Sequence, residues 1–279
     1  MMIYLDYAAT TPMSVEALQT YMKAASQYFG NEQSLHDIGG TASSLLQVCR
    51  KTFAEMIGGK EQGVFFTSGG SESNYLAIQS LLNAQNKKHI ITTPMEHASI
   101  RSYFQSLQSK GYTITEIPVD KSGLIRLIDL EATITEDTVL ASIQHGNSEI
   151  GTVQNIAEIG ALLKKYNVLF HSDCVQTFGK LPIHVFEMGI DSLSVSAHKI
   201  YGPKGVGACY INPQARWTQI FPGTSHERGF RPGTVNVPGI AAFLTAAENI
   251  LKNQQEESLR FKELRSYFLE QIRNTSARN

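Results

Sequence analysis

The residue with the clearest chemical potential in this sequence is Lys199, in the segment SVSAHKIYGPKG spanning residues 194–205. Leu193, Val195 and Ala197 alternate there with Ser194 and Ser196, the pattern of a buried strand end. That strand delivers His198 and Lys199 into a loop punctuated by Gly202, Pro203 and Gly205. A lysine held in a cleft is partly desolvated, and neighbouring cations push its pKa further down toward neutrality. The free amine can then condense with an aldehyde to form a Schiff base. Most lysines in turns are merely solvated. Here a serine, a histidine and a second cation, Lys204, share the turn.

Further polar residues fall where other strand-like runs end. The run 63–67 leads into SGGSESN, where Gly69, Gly70 and Ser71 precede an amphipathic helix. A glycine turn feeding a helix N-terminus gathers free N–H groups and dipole at one point and so suits an anion, although the same residues make an ordinary turn and cap. His97 lies in TTPMEHAS, Asn147 in HGNSEIGT, and Asp173 and Gln176 in HSDCVQ. Singly these read as a loop histidine, a turn asparagine and a helix cap. Jointly they are what a pyridoxal 5'-phosphate site needs. Asp173 would pair with a protonated pyridine nitrogen and make the ring an electron sink, and Gln176 would bond the ring phenolate. His97 would stack on the ring and move protons, while Gly70, Ser71, Ser196 and His198 would hold the phosphate.

These residues must be positioned by a scaffold, and its elements are legible. Strands are expected at 63–67, 89–93, 113–118, 138–144, 168–172 and 192–197, alternating with helices at 98–110, 129–134 and 155–166. Helices over 14–29, with Ser14 as N-cap, and 41–57 come first, after a short strand-like piece at 3–7, and a long helix is expected over 237–272. Such alternation implies an α/β fold with a mostly parallel central sheet covered by helices on both faces, and a ligand at the carboxyl ends of the strands. With 279 residues, 42% of them hydrophobic, the chain can bury a sizeable core. The balance of 24 Lys+Arg against 25 Asp+Glu gives no reason to expect nucleic acid or an anionic membrane as partner. No apolar run has the length of a membrane span, and MMIYLDYAATTP lacks the pattern of a signal peptide, so a cytoplasmic location is expected. Cys49, Cys174 and Cys209 are too scattered for a disulfide framework, and no Cys-x-x-Cys pair suggests zinc.

The segments MIYLDYAATTP, FTSGGSESN, MEHAS, HGNSEIGT, HSDCVQTFGK, SAHKIYGPKGVGA and HERGFRPGT, in this order, resemble the successive signatures of NifS/IscS-type cysteine desulfurases. These are fold-type I pyridoxal-phosphate enzymes of the aminotransferase class V group. The resemblance covers essentially the whole chain. It implies that Lys199 holds the cofactor as a Schiff base, that Asp173 and Gln176 contact the ring, and that His97 stacks on it. It further implies that Gly70, Ser71, Ser196 and His198 lie at phosphate and cofactor positions, with Asn147 near the phenolate and substrate. Thr234, in the RPGT turn, matches a position that reaches the phosphate of a neighbouring subunit, which implies a homodimer. L-cysteine would give up its sulfur to an enzyme persulfide, leaving L-alanine. The sulfur would pass to an acceptor such as an iron–sulfur scaffold or a thiolation pathway. The expected division is an N-terminal arm (1–12), a large cofactor-binding domain (13–236), and a connecting helix with the start of an incomplete small α+β domain (237–279).

Members of the family carry their nucleophilic cysteine on a loop in the C-terminal portion, with an arginine beyond it that grips the substrate carboxylate. This sequence ends at Arg278-Asn279, before either. Cys174 does not replace that cysteine by motif, and Cys49 and Cys209, in a helix and a strand, read as buried thiols. The chain is thus expected to bind the cofactor and to turn over cysteine poorly. Two alternatives stay open: another fold-type I activity, such as an aminotransferase or a selenocysteine or cysteine-sulfinate lyase, and a non-catalytic cofactor-binding dimer.

Overall fold

The computed structural model describes residues 3–276. Residues 1–2 and 277–279, the outer ends of the expected arm and C-terminal segment, lie outside the described residues. The strands are β1 (Val64–Thr67), β2 (His89–Thr92), β3 (Thr113–Glu116), β4 (Thr138–Ser142), β5 (Leu169–Asp173), β6 (Ser192–Ser196) and β7 (Gly207–Ile211). The helices are α1 (Val15–Gln27), α2 (Asp37–Met56), α3 (Gly70–Asn83), α4 (Ala98–Gln108), α5 (Leu127–Thr133), α6 (Ile156–Lys165), α7 (Val237–Lys252) and α8 (Gln254–Ser276). Ser14 caps α1 as its sequence position predicts, its Oγ accepting from Ala17 N–H at 3.1 Å.

The strands form one sheet in the order β1-β7-β6-β5-β4-β2-β3. Only the two pairings of β7, with β1 and β6, are antiparallel among the described residues, so every other strand runs in one direction. Both faces of the sheet are covered. Phe65 points to the layer containing Leu76, Leu81 and Phe104, whereas its neighbour Phe66 points to the layer containing Phe53, Phe178 and Phe243. Successive strand residues thus feed opposite cores, which is why these strands read as continuous apolar runs rather than as alternating ones. The carboxyl ends of β1, β2, β4, β5 and β6 all open onto one edge.

Three expectations need correction. Residues 3–7 form no strand: Ile3 and Leu5 are exposed and have no strand beside them to pair with. The helix over 237–272 is two helices, separated at Asn253, because only the first half carries a continuous buried stripe. Ile240, Phe243, Leu244 and Ala247 of α7 are buried in the core, while the apolar side chains left exposed, Leu259, Leu264, Tyr267 and Phe268, belong to α8. The N-cap of α3 is Gly69 rather than Ser71. No helix among the described residues is long and apolar enough to cross a membrane.

Candidate active site

A cavity of about 660 Å3 opens at the carboxyl edge of the sheet, and its wall includes Gly70, Ser71, His97, Asn147, Asp173, Gln176, Ser196, His198 and Lys199. Each arrives by the same device, a strand whose buried side chains fix its position and whose last residue hands the chain to a polar turn. Asp173 is the last residue of β5 and is buried. Its Oδ1 accepts from Val175 N–H at 2.9 Å and its Oδ2 from Asn74 Nδ2 at 2.8 Å. Burial pushes this carboxyl above the usual aspartate range. The Val175 N–H and the Asn74 amide draw it back, followed by the nearby His97 and Lys199. Neutral dipoles therefore do most of the work of holding the charge, and a cationic group placed against Asp173 would complete the compensation.

Lys199 ends the 3-10 turn Ala197–Lys199 that follows β6, and is half-buried. Its Nζ donates to the carbonyls of Ala8 and Ala9, at 2.5 and 2.9 Å. Burial lowers its pKa from the ordinary lysine value. The neighbouring charges act in the opposite sense to the one expected, because they are the carboxylates of Asp173 and Asp6 rather than cations. The arm crosses the site on a series of bonds: Thr11 N–H and Oγ1 donate to His198 O at 2.9 Å, Tyr201 N–H to Thr11 Oγ1 at 2.7 Å, and Ser14 N–H to Tyr201 O at 2.9 Å. Gln176 Nε2 donates to Ala8 O at 3.0 Å, so its amide is committed to the arm. Asn147 is equally engaged. Its Nδ2 donates to Met95 O and its Oδ1 accepts from Glu149 and Ile150 N–H, the Asx-turn geometry that its sequence position also allowed.

At the other end a smaller cavity of about 340 Å3 shares Gly70, Ser71, Ser196 and His198 with the first and adds Lys204. The first N–H groups of α3 have no acceptor within the helix. Ser196 Oγ is buried there without a hydrogen-bond partner among the described residues. The turn can sit this close to the sheet because residue 207 is glycine: a Cβ on Gly207 would lie 2.6 Å from Gly69 Cα. Gly69 itself, at φ 151°, is in a conformation that favours glycine.

His97 is the N-cap of α4, its Nδ1 accepting from Ser99 N–H at 3.1 Å and lying 2.8 Å from Ser99 Oγ. Both bonds fall on Nδ1, which leaves Nε2 for the cavity. Thr234 is exposed and lines neither cavity. Its segment is anchored from inside: Glu227 is buried and accepts from Arg50 at 2.8 and 2.9 Å and from Phe66 N–H at 2.7 Å. Sequence reading missed Asn74 and Glu96. Glu96 is buried on the cavity wall, with Oε1 accepting from Gln144 N–H at 2.7 Å and from Thr93 Oγ1 at 3.1 Å. Its pKa is pushed up to about 8, by burial first and by Asp173 beyond it. Its place immediately before His97 was the available signal.

The aminotransferase class-V family matches residues 3–278. A NifS protein of Bacillus subtilis is 52% identical over 274 residues, covering 98% of this chain and 69% of its own length. Cysteine desulfurase IscS of Dictyoglomus turgidum is 41% identical over 272 residues, 97% of this chain and 69% of that protein. The chain belongs to the class-V aminotransferase family. Among solved structures, a NifS-like protein superposes with a TM-score of 0.94 at 34% identity, covering 98% of this chain and 76% of that one. SspA in complex with cysteine gives 0.85 at 36% identity, over 88% of this chain and 72% of that one.

Class-V desulfurases depend on pyridoxal 5'-phosphate, and the donor set here fits that group. An unpartnered buried hydroxyl faces a helix N-terminus at one end, suiting a phosphate, and a buried carboxylate hydrogen-bonded only to neutral groups stands at the other, suiting a cationic ring nitrogen. A primary amine lines the same cavity. The thiols of this class-V chain are all withdrawn: Cys49, Cys174 and Cys209 are buried, and burial pushes Cys49 and Cys174 up to about 12 and Cys209 upward as well.

Proposed function

We infer that this chain carries the cofactor and substrate chemistry of a pyridoxal-phosphate-dependent cysteine desulfurase of the NifS/IscS type, taking sulfur from L-cysteine and leaving L-alanine. The observation that carries the reading is the convergence on one cavity of the Lys199 amine, the buried Asp173 carboxylate and the unpartnered Ser196 hydroxyl. When bound, the cofactor supplies an electron-withdrawing ring that stabilises negative charge at the substrate α-carbon. The residues supply the rest. Ser196, His198 and the first turn of α3 would hold the phosphate, Asp173 would keep the ring nitrogen protonated, and His97 would lie against the ring with its Nε2–H. Lys199, its amine made more basic-form-rich by burial, would take the α-proton of the amino acid and return it. Gln176 and Asn147 would act from the wall, and Thr234 on the phosphate of a second subunit.

Sulfur transfer needs a thiolate, and none of the three thiols can reach substrate or ionise near neutrality. We therefore place the sulfur-accepting thiol outside residues 3–276 and expect this chain by itself to release little alanine. The reading extends to a homodimer of three-part chains, with arm 1–12, large domain 13–236 and a second domain begun within 237–279, delivering sulfur to an acceptor such as an iron–sulfur scaffold. Three free thiols suit a reducing, cytoplasmic setting.

The test is chemical. Incubation with pyridoxal 5'-phosphate should give a visible absorption band, and borohydride reduction followed by peptide mass spectrometry should place the adduct on Lys199. Lys199→Ala should lose both. An adduct on Lys180 or Lys204 instead, or none, would overturn the assignment.

A further inference from the structure

Behind Asp173 runs a series of hydrogen bonds among residues of the segments quoted above to which the sequence assigned no role. Asn74 Nδ2 donates to Asp173 Oδ2 at 2.8 Å and to Ser99 Oγ at 3.2 Å. With both amide hydrogens spent, Asn74 Oδ1 can only accept, and His171 Nε2 lies 3.1 Å from it. That contact needs a proton on Nε2. His171 Nδ1 lies 3.0 Å from the hydroxyl of Ser192, its direct neighbour across the β5–β6 pairing, which supplies the matching donor. His171 is wholly buried, and burial takes its pKa down to about 3, so the ring is neutral with one N–H. On the other branch Ser99 Oγ, accepting from Asn74, donates to His97 Nδ1 at 2.8 Å.

Each bond in this series has one direction, and all directions follow from the amide of Asn74. If that amide turned over, its oxygen would face Asp173. An oxygen there suits a protonated Asp173, which could donate to it, and repels the carboxylate. Burial favours the protonated form. What opposes the turned amide is the Nε2–H tautomer of His171, whose N–H would then meet an NH2 group; an Nδ1–H ring donating to Ser192 Oγ would admit it. Residues 171 and 173 point to the same face of β5, so the histidine reaches the amide of α3 from directly beneath the site.

We propose that His171 is a positioning residue: by holding the oxygen of the Asn74 amide it keeps Asp173 as a carboxylate and keeps the proton of His97 on Nε2. This rests on the reading of Asp173 as the partner of a protonated ring nitrogen, but its effect on His97 does not. Two 15N NMR measurements separate the two. The first reads the ring tautomers of His171 and His97 in the chain without added cofactor. The expected result is Nε2–H for both; an Nδ1–H tautomer at His171 would overturn the proposal without any variant having to fold.

The second loads the chain with ring-15N pyridoxal 5'-phosphate. The wild type should show a protonated ring nitrogen, and an unprotonated one would sink the reading of Asp173 while leaving the tautomer result standing. His171→Leu should shift the ring nitrogen to its neutral signal, give His97 mixed tautomers, and weaken cofactor affinity about ten- to a hundred-fold, the scale of one hydrogen bond to a charged group. His171→Gln, whose Nε2–H can stand where the imidazole N–H was, should restore all three. Wild-type signals in His171→Leu, or no rescue by glutamine in a folded variant, would show that the histidine only fills space.

Discussion

Two buried carboxylates in this protein are handled in opposite ways. Glu227 is locked against Arg50 by two bonds and takes a third from Phe66 N–H, so charge meets charge. Glu227 and Arg228 have φ of 46° and 56°, a conformation that non-glycine residues rarely adopt, and the ion pair is what fixes that turn ahead of Arg231 and Thr234. Asp173 is as deeply buried, yet its bonded partners are neutral, Val175 N–H and the Asn74 amide. A buried anion matched by a cation is a fastener. One hydrogen-bonded only to neutral groups is a site, because its deficit is available to an incoming cation.

The largest expected effect breaks the first half of that comparison. Arg50→Met strands the Glu227 carboxylate in the core and should cost about 3–5 kcal/mol in denaturant unfolding, whereas Arg50→Met combined with Glu227→Gln should recover most of it. A loss under about 1 kcal/mol in the single variant would show that the pair fastens nothing. Asp173→Asn sharpens the second half. Removing a charge that burial already disfavours should leave stability within about 1 kcal/mol of wild type while the bound cofactor loses its ring-nitrogen proton. Marked unfolding of that variant would mean that Asp173 too is a fastener.

A pH-dependent effect concerns Glu96, which lines the cavity with Asp173. An unfolded glutamate ionises near 4.5, while the folded one keeps its proton to about 8. The contribution is thus fully present below about 4.5 and is lost as pH rises to about 8. Glu96→Gln should flatten this alkaline decline, by on the order of 1 kcal/mol per pH unit in that window. The buried His145 and His171, lowered to about 4 and about 3, act at the other end: they stay neutral in the fold, and stability is lost as pH falls from 6.5 toward those values. Chemical denaturation of the wild type and of Glu96→Gln across pH 4–9 would separate the two limbs, and parallel curves would remove Glu96 from the account.

Six of the seven strands, the helices between them and the residues at the strand ends could be read directly from the chain; β7, inserted antiparallel between β1 and β6, was anticipated only as the strand that holds Cys209. Buried parallel strands need unbroken apolar runs, and each such run here is followed by its polar turn, so the order of local patterns carried both fold class and candidate site. The errors lie where local pattern is insufficient. Residues 3–7 have a strand's composition but no partner, and pairing is not a local property. The helix beyond 237 is continuous in propensity and interrupted at Asn253, where the packing surface beneath it ends.

By itself the sequence determined which groups the protein brings to the site: an amine at 199, a carboxylate at 173, a histidine at 97, a hydroxyl at 196 and glycines at 69 and 70. Side-chain chemistry is fixed covalently, and the strand-then-turn pattern places each group at one edge. Only the tertiary structure decided what state those groups are in. The direction of the Asn74 amide, the proton held by Glu96 and the carbonyls of Ala8 and Ala9 against Lys199 depend on neighbours far away in the chain. Hydrogen-bond direction and desolvation are set by distance in space, which no local stretch of sequence encodes.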